Sequence, residues 1–182
     1  MEPDEQLATV IPMLEAVTAN IGAGQLDNAT PCSDFTVEGV LRHMTDLATG
    51  FAPMFRGEEP GDAPTPSAQS GMIDAFVHAM DRLLAAVKSP GALDRTIPTP
   101  GGEMPGRVFA RLVALDGLVH GWDLTSTSQE WTPPERLVAE VDAFARDAIS
   151  SEMRDGGAFG PERSPTGTSP MQHLAAFTGR AA

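Results

Sequence analysis

The chain has 182 residues and a formal net charge of −13, from 12 Lys+Arg against 25 Asp+Glu. Its 41% hydrophobic and 20% charged content is typical of a soluble globular protein, and the length favours one domain spanning residues 1–182. The acidic balance opposes binding to nucleic acid or to anionic lipid, and the single cysteine excludes an internal disulfide and a multi-cysteine zinc module.

The N-terminal segment, residues 1–6, is acidic and is not followed by an apolar stretch, so it does not resemble a secretory signal. No run approaches the roughly 18 consecutive apolar residues needed to span a bilayer. We therefore expect a cytoplasmic protein without a membrane segment.

Apolar residues recur at the spacing i, i+3, i+4 in five blocks, which predicts five amphipathic helices. These blocks are residues 7–21, 37–51, 72–87, about 107–127 and about 132–149. Pro12 predicts a kink or a late start in the first helix, and Gly22 and Gly24 are expected to stop it. Asp34 or Thr36 can cap the second. The fifth is expected to open at residues 132–135, with Thr132 as N-cap and Pro133 in the first turn.

The connecting segments are rich in turn-forming residues. Residues 58–67 read as a loop, and residues 92–106 read either as a short hairpin or as an ordered loop. The tail from 155 to 170 is rich in Gly, Pro and Ser, and a last turn at 171–177 is expected to dock on the body. Long helical blocks without alternating strands predict an all-α, antiparallel helix bundle.

Three polar residues share one face of the fourth predicted helix. Asp116 and His120 are four positions apart, and His120 and Asp123 are three apart. This face adjoins a predicted apolar stripe, so the polar groups lie at the edge of the core, where they are costly unless they pair or hold a cation. The stripe consists of Leu112, Leu115, Val119 and Trp122.

On the second predicted helix, His43 lies three residues after Val40 and four before Leu47, so its ring should point into the bundle. Helix bundles build metal sites from two ligands at i, i+4 on one helix and a third on a facing helix. Three nitrogen and oxygen ligands leave a coordination position for water or substrate.

Other interpretations of these residues stay open. Asp116 and His120 can form a simple hydrogen-bonded pair with Asp123 exposed, and His43 can be a core histidine. Cys32 lies near the start of the second helix, where a thiolate would be favoured, and could pair with a histidine in a metal-independent hydrolase. A structural role for Cys32 is the default.

The remaining candidates are expected to be structural. His78 is expected at the surface, and His173 at the surface or in the scaffold, with closure over the mouth of the site as the alternative. Trp122 is expected to pack in the core beside His120. Arg42 is expected on a solvated face, with contact to an anionic substrate as the alternative.

Three signatures occur in order along the chain: TPCSDFTV at 30–37, LRHM at 41–44 and DGLVHGWDL at 116–124. With the closing LAAFTGR at 174–180, they resemble the DinB-like, mycothiol-dependent maleylpyruvate isomerase N-terminal family of actinobacterial proteins. The resemblance implies a four-helix bundle with an extra helix and a short C-terminal turn. It also implies a divalent metal, usually zinc with nickel as the alternative, held by His43, Asp116 and His120.

The resemblance implies that this metal binds a small thiol such as mycothiol as its thiolate, for transfer to a small electrophile or for isomerisation. The leading interpretation is therefore a metal-dependent thiol transferase or isomerase-like enzyme. Its alternative is a non-catalytic metal- or ligand-binding module, or a dimerising structural protein; a homodimer is left open in either case.

Two differences motivate that alternative. The isomerase has glutamate where this chain has Asp116, and it carries a second, C-terminal domain, so maleylpyruvate isomerisation itself is not expected here. Asp123 has no ligand role in the isomerase pattern. We interpret it as a partner of a ligand or a helix-end contact, with metal ligation as the minority alternative.

Overall fold

A computed structural model describes residues 1–58, 71–99, 102–127 and 130–182. The predicted loop at 58–67 therefore lies, beyond Glu58, outside the described residues. Within them are seven α-helices and one antiparallel hairpin. In chain order they are α1 (Pro3–Thr18), α2 (Val37–Arg56), α3 (Met72–Val87), β1 (Thr96–Thr99), β2 (Gly102–Pro105), α4 (Gly106–Asp123), α5 (Glu135–Ala148), α6 (Ser151–Asp155) and α7 (Pro170–Phe177).

The first four helices form a closed ring in the spatial order α1, α3, α2, α4, because each of these neighbours packs on the next. Apolar side chains from all four helices meet in the middle, among them Leu14, Met44, Leu83 and Val113. Helices α5 and α7 pack on each other and against α4 outside this ring. The prediction of an all-α four-helix bundle with an extra helix is confirmed.

Helix α4 is the centre of the molecule, since twelve of its eighteen residues are buried. Two glycines let its neighbours approach closely. A Cβ on Gly117 would lie 2.9 Å from Val10 of α1, and one on Gly121 would lie 2.1 Å from the Trp131 ring. The buried residues include Ala114 and Leu118, outside the predicted stripe, and α5, α7 and Trp131 also pack on this helix.

The ends of α1 and α2 show which of the predicted capping and stop residues define these helices. The Thr36 hydroxyl caps α2 by accepting the amide of Gly39 at 3.2 Å, so Thr36 and not Asp34 is the cap. Helix α1 runs through an exposed Pro12 and ends at Thr18, before the glycines expected to stop it.

The predicted opening of the fifth helix is wrong. Helix α5 begins at Glu135, with Pro134 as N-cap and no side-chain cap. The reason is steric, because a proline disfavours the helical conformation in the residue before it. Pro134 therefore keeps Pro133 out of the helix.

The open choice at residues 92–106 is settled in favour of a hairpin. Strands β1 and β2 pair antiparallel, with Ile97 opposite Met104 and Thr99 opposite Gly102. The hairpin leads directly into α4, and the amide of Gly106 donates to the carbonyl of Arg95 at 2.7 Å. Among the described residues, no helix combines the length and apolar character needed to cross a membrane.

Candidate metal centre

Helices α2 and α4 bring the three predicted ligands together. His43 comes from α2, and Asp116 and His120 come from successive turns of α4. The Oδ1 atom of Asp116 lies 3.7 Å from His43 Nε2 and 3.4 Å from His120 Nε2. One donor atom from each residue lies within 4.8 Å of the other two. We call these three residues the ligand cluster.

The donor set suits a divalent metal. Zinc binds imidazole nitrogen and carboxylate oxygen at about 2.0–2.2 Å, which places neighbouring ligand atoms of a tetrahedral site about 3.3 Å apart. The two distances to Asp116, 3.4 and 3.7 Å, come close to that separation before any adjustment of the side chains. The aspartate arm, although shorter than glutamate, therefore reaches both imidazoles.

The loop before α2 supports the cluster from one side. The Thr30 hydroxyl lies 2.8 Å from the carbonyl of Cys32 and 2.7 Å from that of Phe35, which closes the loop on itself. The Phe35 ring consequently packs against both imidazoles, with centroid distances of 5.0 Å to His43 and 5.8 Å to His120. This contact restricts the orientation of the two rings.

Asp123 and Arg180 hold His120 from behind. The Nδ1 atom of His120 lies 2.9 Å from Oδ2 of Asp123, a carboxylate that is fully buried. Arg180 reaches the same carboxylate from the C-terminal segment, with Nη2 at 3.2 Å from Oδ2. Because Nδ1 donates to Asp123, the Nε2 lone pair of neutral His120 faces the cluster, as a metal ligand requires. The alternative with an exposed Asp123 is therefore wrong.

The charges of the cluster stabilise one another. Burial by itself raises the pKa of Asp116, but the two neighbouring imidazoles lower it well below its usual range. Burial likewise lowers the pKa of His120, and the carboxylates of Asp116 and Asp123 outweigh that effect and raise it to about 9. The three groups thus form a compact acid–base set that a metal cation would enter in place of protons.

The cluster lies in the wall of a cavity of about 380 Å³. This volume falls within the range of small-molecule sites. Besides the cluster, its wall includes Arg180, the loop around Phe35, one face each of α2 and α4, and the segment from Gly157 to Gly160. Arg154 fixes that segment, since its guanidinium donates to the carbonyls of Gly160 and Phe177.

The other histidines lie apart from the cluster. His78 and His173 are exposed, and neither lines the cavity. Arg42 is also exposed and pairs with Glu38 of its own helix, with Nε at 2.8 Å from Oε1. Trp122 is half-buried and packs on the core.

Cys32 is half-buried and lines the cavity. Burial raises the pKa of its thiol, which outweighs the hydrogen bond from the Asp34 backbone. A raised pKa disfavours the thiolate that a cysteine nucleophile needs, so the structure argues against a hydrolase built on Cys32.

Two parts of the site carried no local signal in the sequence. Arg180 is 57 residues from Asp123 and follows a short helix, with no spacing that relates the two. The cavity wall at 157–160 lies in a glycine-rich stretch that predicted only a loop. The closing LAAFTGR signature contained Arg180 but did not indicate its partner.

Comparison with known proteins identifies the family. The family model of the mycothiol maleylpyruvate isomerase N-terminal domain matches residues 7–125. The chain belongs to this family. Two relatives from Mycobacterium tuberculosis, uncharacterized proteins of strains CDC 1551 and H37Rv, are each 33% identical over 168 residues, covering 91% of this chain and 90% of theirs.

Solved structures of the family share the fold. The crystal structure of the mycothiol-dependent maleylpyruvate isomerase matches with a TM-score of 0.60 and 16% identity, covering 79% of this chain and 69% of that one. A histidine-to-alanine mutant of that enzyme gives the same TM-score at 14% identity. The family match includes the ligand cluster and Asp123, whereas Arg180 and the cavity wall at 157–160 follow it in the chain.

Proposed function

We propose that this chain binds one divalent metal ion through His43, Asp116 and His120 and uses it to activate a small thiol of the mycothiol type. Zinc is the proposed metal and nickel the alternative. The observation that carries the proposal is the convergence of three donor atoms, all within 4.8 Å, at the wall of a cavity large enough for a small molecule.

A metal held there would lower the pKa of a bound thiol, so that its thiolate forms at neutral pH. The protein supplies the remaining elements. Asp123 fixes the ring of His120 through Nδ1, and Phe35 restricts both imidazoles.

The proposed reaction joins the thiol to a small electrophile. With an alkyl halide, the thiol sulfur forms a bond to the electrophilic carbon, the halide departs with the bonding electron pair, and the thiol proton is released to solvent. With an activated alkene, the sulfur adds to one alkene carbon and a proton adds to the other. A mycothiol-type thiol is proposed because the chain's family is that of the mycothiol maleylpyruvate isomerase N-terminal domain. Isomerisation through a reversible thiol adduct is the related reaction class.

Metal analysis of protein purified without a histidine tag and without chelator tests the metal site. We expect about one zinc or nickel per chain in the native protein and loss of that metal in His120→Ala. His78→Ala is the matched control, because His78 is exposed and away from the cluster, and it should keep its metal. A folded native protein that neither contains zinc or nickel nor takes it up on titration would overturn the proposal.

Turnover separates the enzyme from the binding module. The zinc-loaded protein is assayed with mycothiol and a panel of alkyl halides and activated alkenes, followed by loss of free thiol. We expect a rate above the uncatalysed reaction that disappears in His120→Ala. Stoichiometric metal binding without turnover would contradict the catalytic part of the proposal and support a non-catalytic metal-binding module.

A further inference from the structure

One side of the cavity is a trough between α2 and α4 that leads away from the ligand cluster. On α2, Leu47 and Phe51 follow His43 at four-residue steps and so share its face. On α4, Val113, Leu112 and Phe109 precede Asp116 by three, four and seven residues. We call Leu47, Phe51, Phe109, Leu112 and Val113 the apolar trough.

The trough has a definite length and an aromatic end. Eight residues of α2 separate His43 from Phe51, which corresponds to about 12 Å along the helix. The Phe51 and Phe109 rings meet at the far end, with centroids 4.7 Å apart and an angle of 71° between their planes. Because His43 lies beside Asp116 and Phe51 beside Phe109, the helices run antiparallel and face each other along the whole trough.

Charge is sorted along the cavity. Among the described residues that line it, the charged side chains are Asp34, Asp116 and Arg180. Asp116 belongs to the cluster, Arg180 pairs with Asp123 behind His120, and Asp34 is next to Phe35, whose ring packs on both imidazoles. Charged groups therefore gather at the metal end, and the five side chains of the trough are all apolar.

Two of those side chains are leucines that leave apolar surface exposed to the cavity. Leu47 and Leu112 are only half-buried and are not among the side chains that form or pack against the core. Apolar surface that is open to a cavity beside polar groups is typical of a ligand site. A charged group placed there would lose its hydration without gaining a partner.

We propose that the electrophile bound by this site is an uncharged molecule with an apolar, aromatic-sized group, which occupies the apolar trough while its reacting carbon faces the ligand cluster. This inference rests on the proposed function for the reaction but on the trough alone for the class of substrate. It assigns the polar end of the cavity to the thiol and the apolar end to its acceptor.

Binding is tested first on the metal-free protein, where no activity is needed. Benzyl alcohol and 4-(hydroxymethyl)benzoate are titrated and followed by amide NMR shifts, which locate the binding site. We expect benzyl alcohol to shift residues around Leu47 and Leu112 and to bind about tenfold or more tightly than the carboxylate. Equal affinity, tighter binding of the carboxylate, or shifts elsewhere would overturn the proposal.

A polar substitution tests the trough directly. Leu112→Gln should weaken the binding of benzyl alcohol by at least about fourfold, which is the effect of losing one buried methylene group. The zinc affinity should stay unchanged. Val108→Gln is the matched control, because Val108 lies on the same helix, is 36% exposed and does not line the cavity. Affinity unchanged in Leu112→Gln, or lowered equally in both variants, would contradict the inference.

Kinetics provide the second arm, with mycothiol and the matched acceptors benzyl chloride and 4-(chloromethyl)benzoate. In each reaction a carbon–sulfur bond forms, the carbon–chlorine bond breaks, chloride leaves, and the thiol proton goes to buffer. We expect kcat/KM for benzyl chloride to exceed that for the carboxylate by about tenfold or more. If benzyl alcohol bound in the trough but neither acceptor reacted, the proposed enzymatic reaction would be refuted and the apolar binding site would stand. If both acceptors reacted at the same rate, the apolar binding site would be refuted and the enzymatic reaction would stand.

Discussion

Replacing Asp123 by asparagine tests how the interior of α4 controls the ligand cluster. Asparagine keeps the size of the side chain but lacks the charge that Arg180 and His120 share. If its carbonyl takes the place of Oδ2 and accepts from His120 Nδ1, its amide group takes the place of Oδ1 and faces Arg180 Nε, donor against donor. At least one charge-assisted hydrogen bond is therefore lost at a site where the native carboxylate is fully buried.

The substitution is expected to lower both the zinc affinity and the stability of the fold. Loss of a hydrogen-bond partner behind a metal-ligating histidine lowers metal affinity by about 10- to 100-fold. Loss of a hydrogen bond to a charged group costs about 1.5–3 kcal/mol in the free energy of unfolding. We expect Asp123→Asn to show both, with zinc affinity measured by competition with a chelating dye and stability by urea unfolding of the metal-free protein.

Asp142→Asn is the matched control. Asp142 pairs with Arg146 one turn away on α5, with Nε at 2.9 Å from Oδ2, and neither residue lines the cavity. An exposed pair of this kind contributes about 0–1 kcal/mol, and its loss should leave zinc affinity unchanged. If folded Asp123→Asn bound zinc as tightly as the native protein while His120→Ala did not, the positioning role of Asp123 would be refuted.

Two further predictions concern protons and packing. Between pH 7 and 8, zinc binding should release about one proton, because His120, with its pKa raised to about 9 in the metal-free protein, is protonated there and must become neutral to bind. Apparent zinc affinity should accordingly rise with pH up to about 9. Calorimetry in buffers of different ionisation enthalpy measures the number of protons released on zinc binding. A binding heat that does not depend on the buffer would contradict the prediction. Gly121→Ala should cost about 1–3 kcal/mol in urea unfolding, because its Cβ would lie 2.1 Å from the Trp131 ring. Gly50→Ala is the control, since no atom lies within 4 Å of its added Cβ. It should stabilise α2 by about 0.5–1 kcal/mol. Equal effects of the two substitutions on stability would show that close packing at Gly121 does not cause the loss.

The C-terminal segment links the periphery of the fold to its centre. Arg180 comes directly after α7 and its turn, and its guanidinium reaches a carboxylate in the last turn of α4. Arg154 ties the cavity wall at Gly160 to the end of α7. The position of α7 is therefore coupled to both the ligand cluster and the cavity, although neither the cluster nor the apolar trough includes a residue of that helix.

Local spacing in the sequence was sufficient to predict the five long helices and to place Asp116, His120 and His43 on faces that could meet, whereas their role as metal ligands was implied by the family resemblance. Asp116 and His120 share a helix face because residues four apart always do, whatever the helix packs against. His43 lies between Val40 and Leu47, so its direction follows from the side of α2 that faces the bundle. Helix ends were predicted less well where neighbouring prolines competed, as at the start of α5.

Only the tertiary structure decided what surrounds the cluster. The partnership of Arg180 with Asp123 joins positions 57 residues apart, and the trough needs two antiparallel helices that face each other in register. Helical periodicity determines which side of a helix is apolar, but it does not determine which elements cover that side. For that reason the spacing of Leu112 predicted a core residue, whereas in the folded chain Leu112 lines a cavity beside the candidate metal centre.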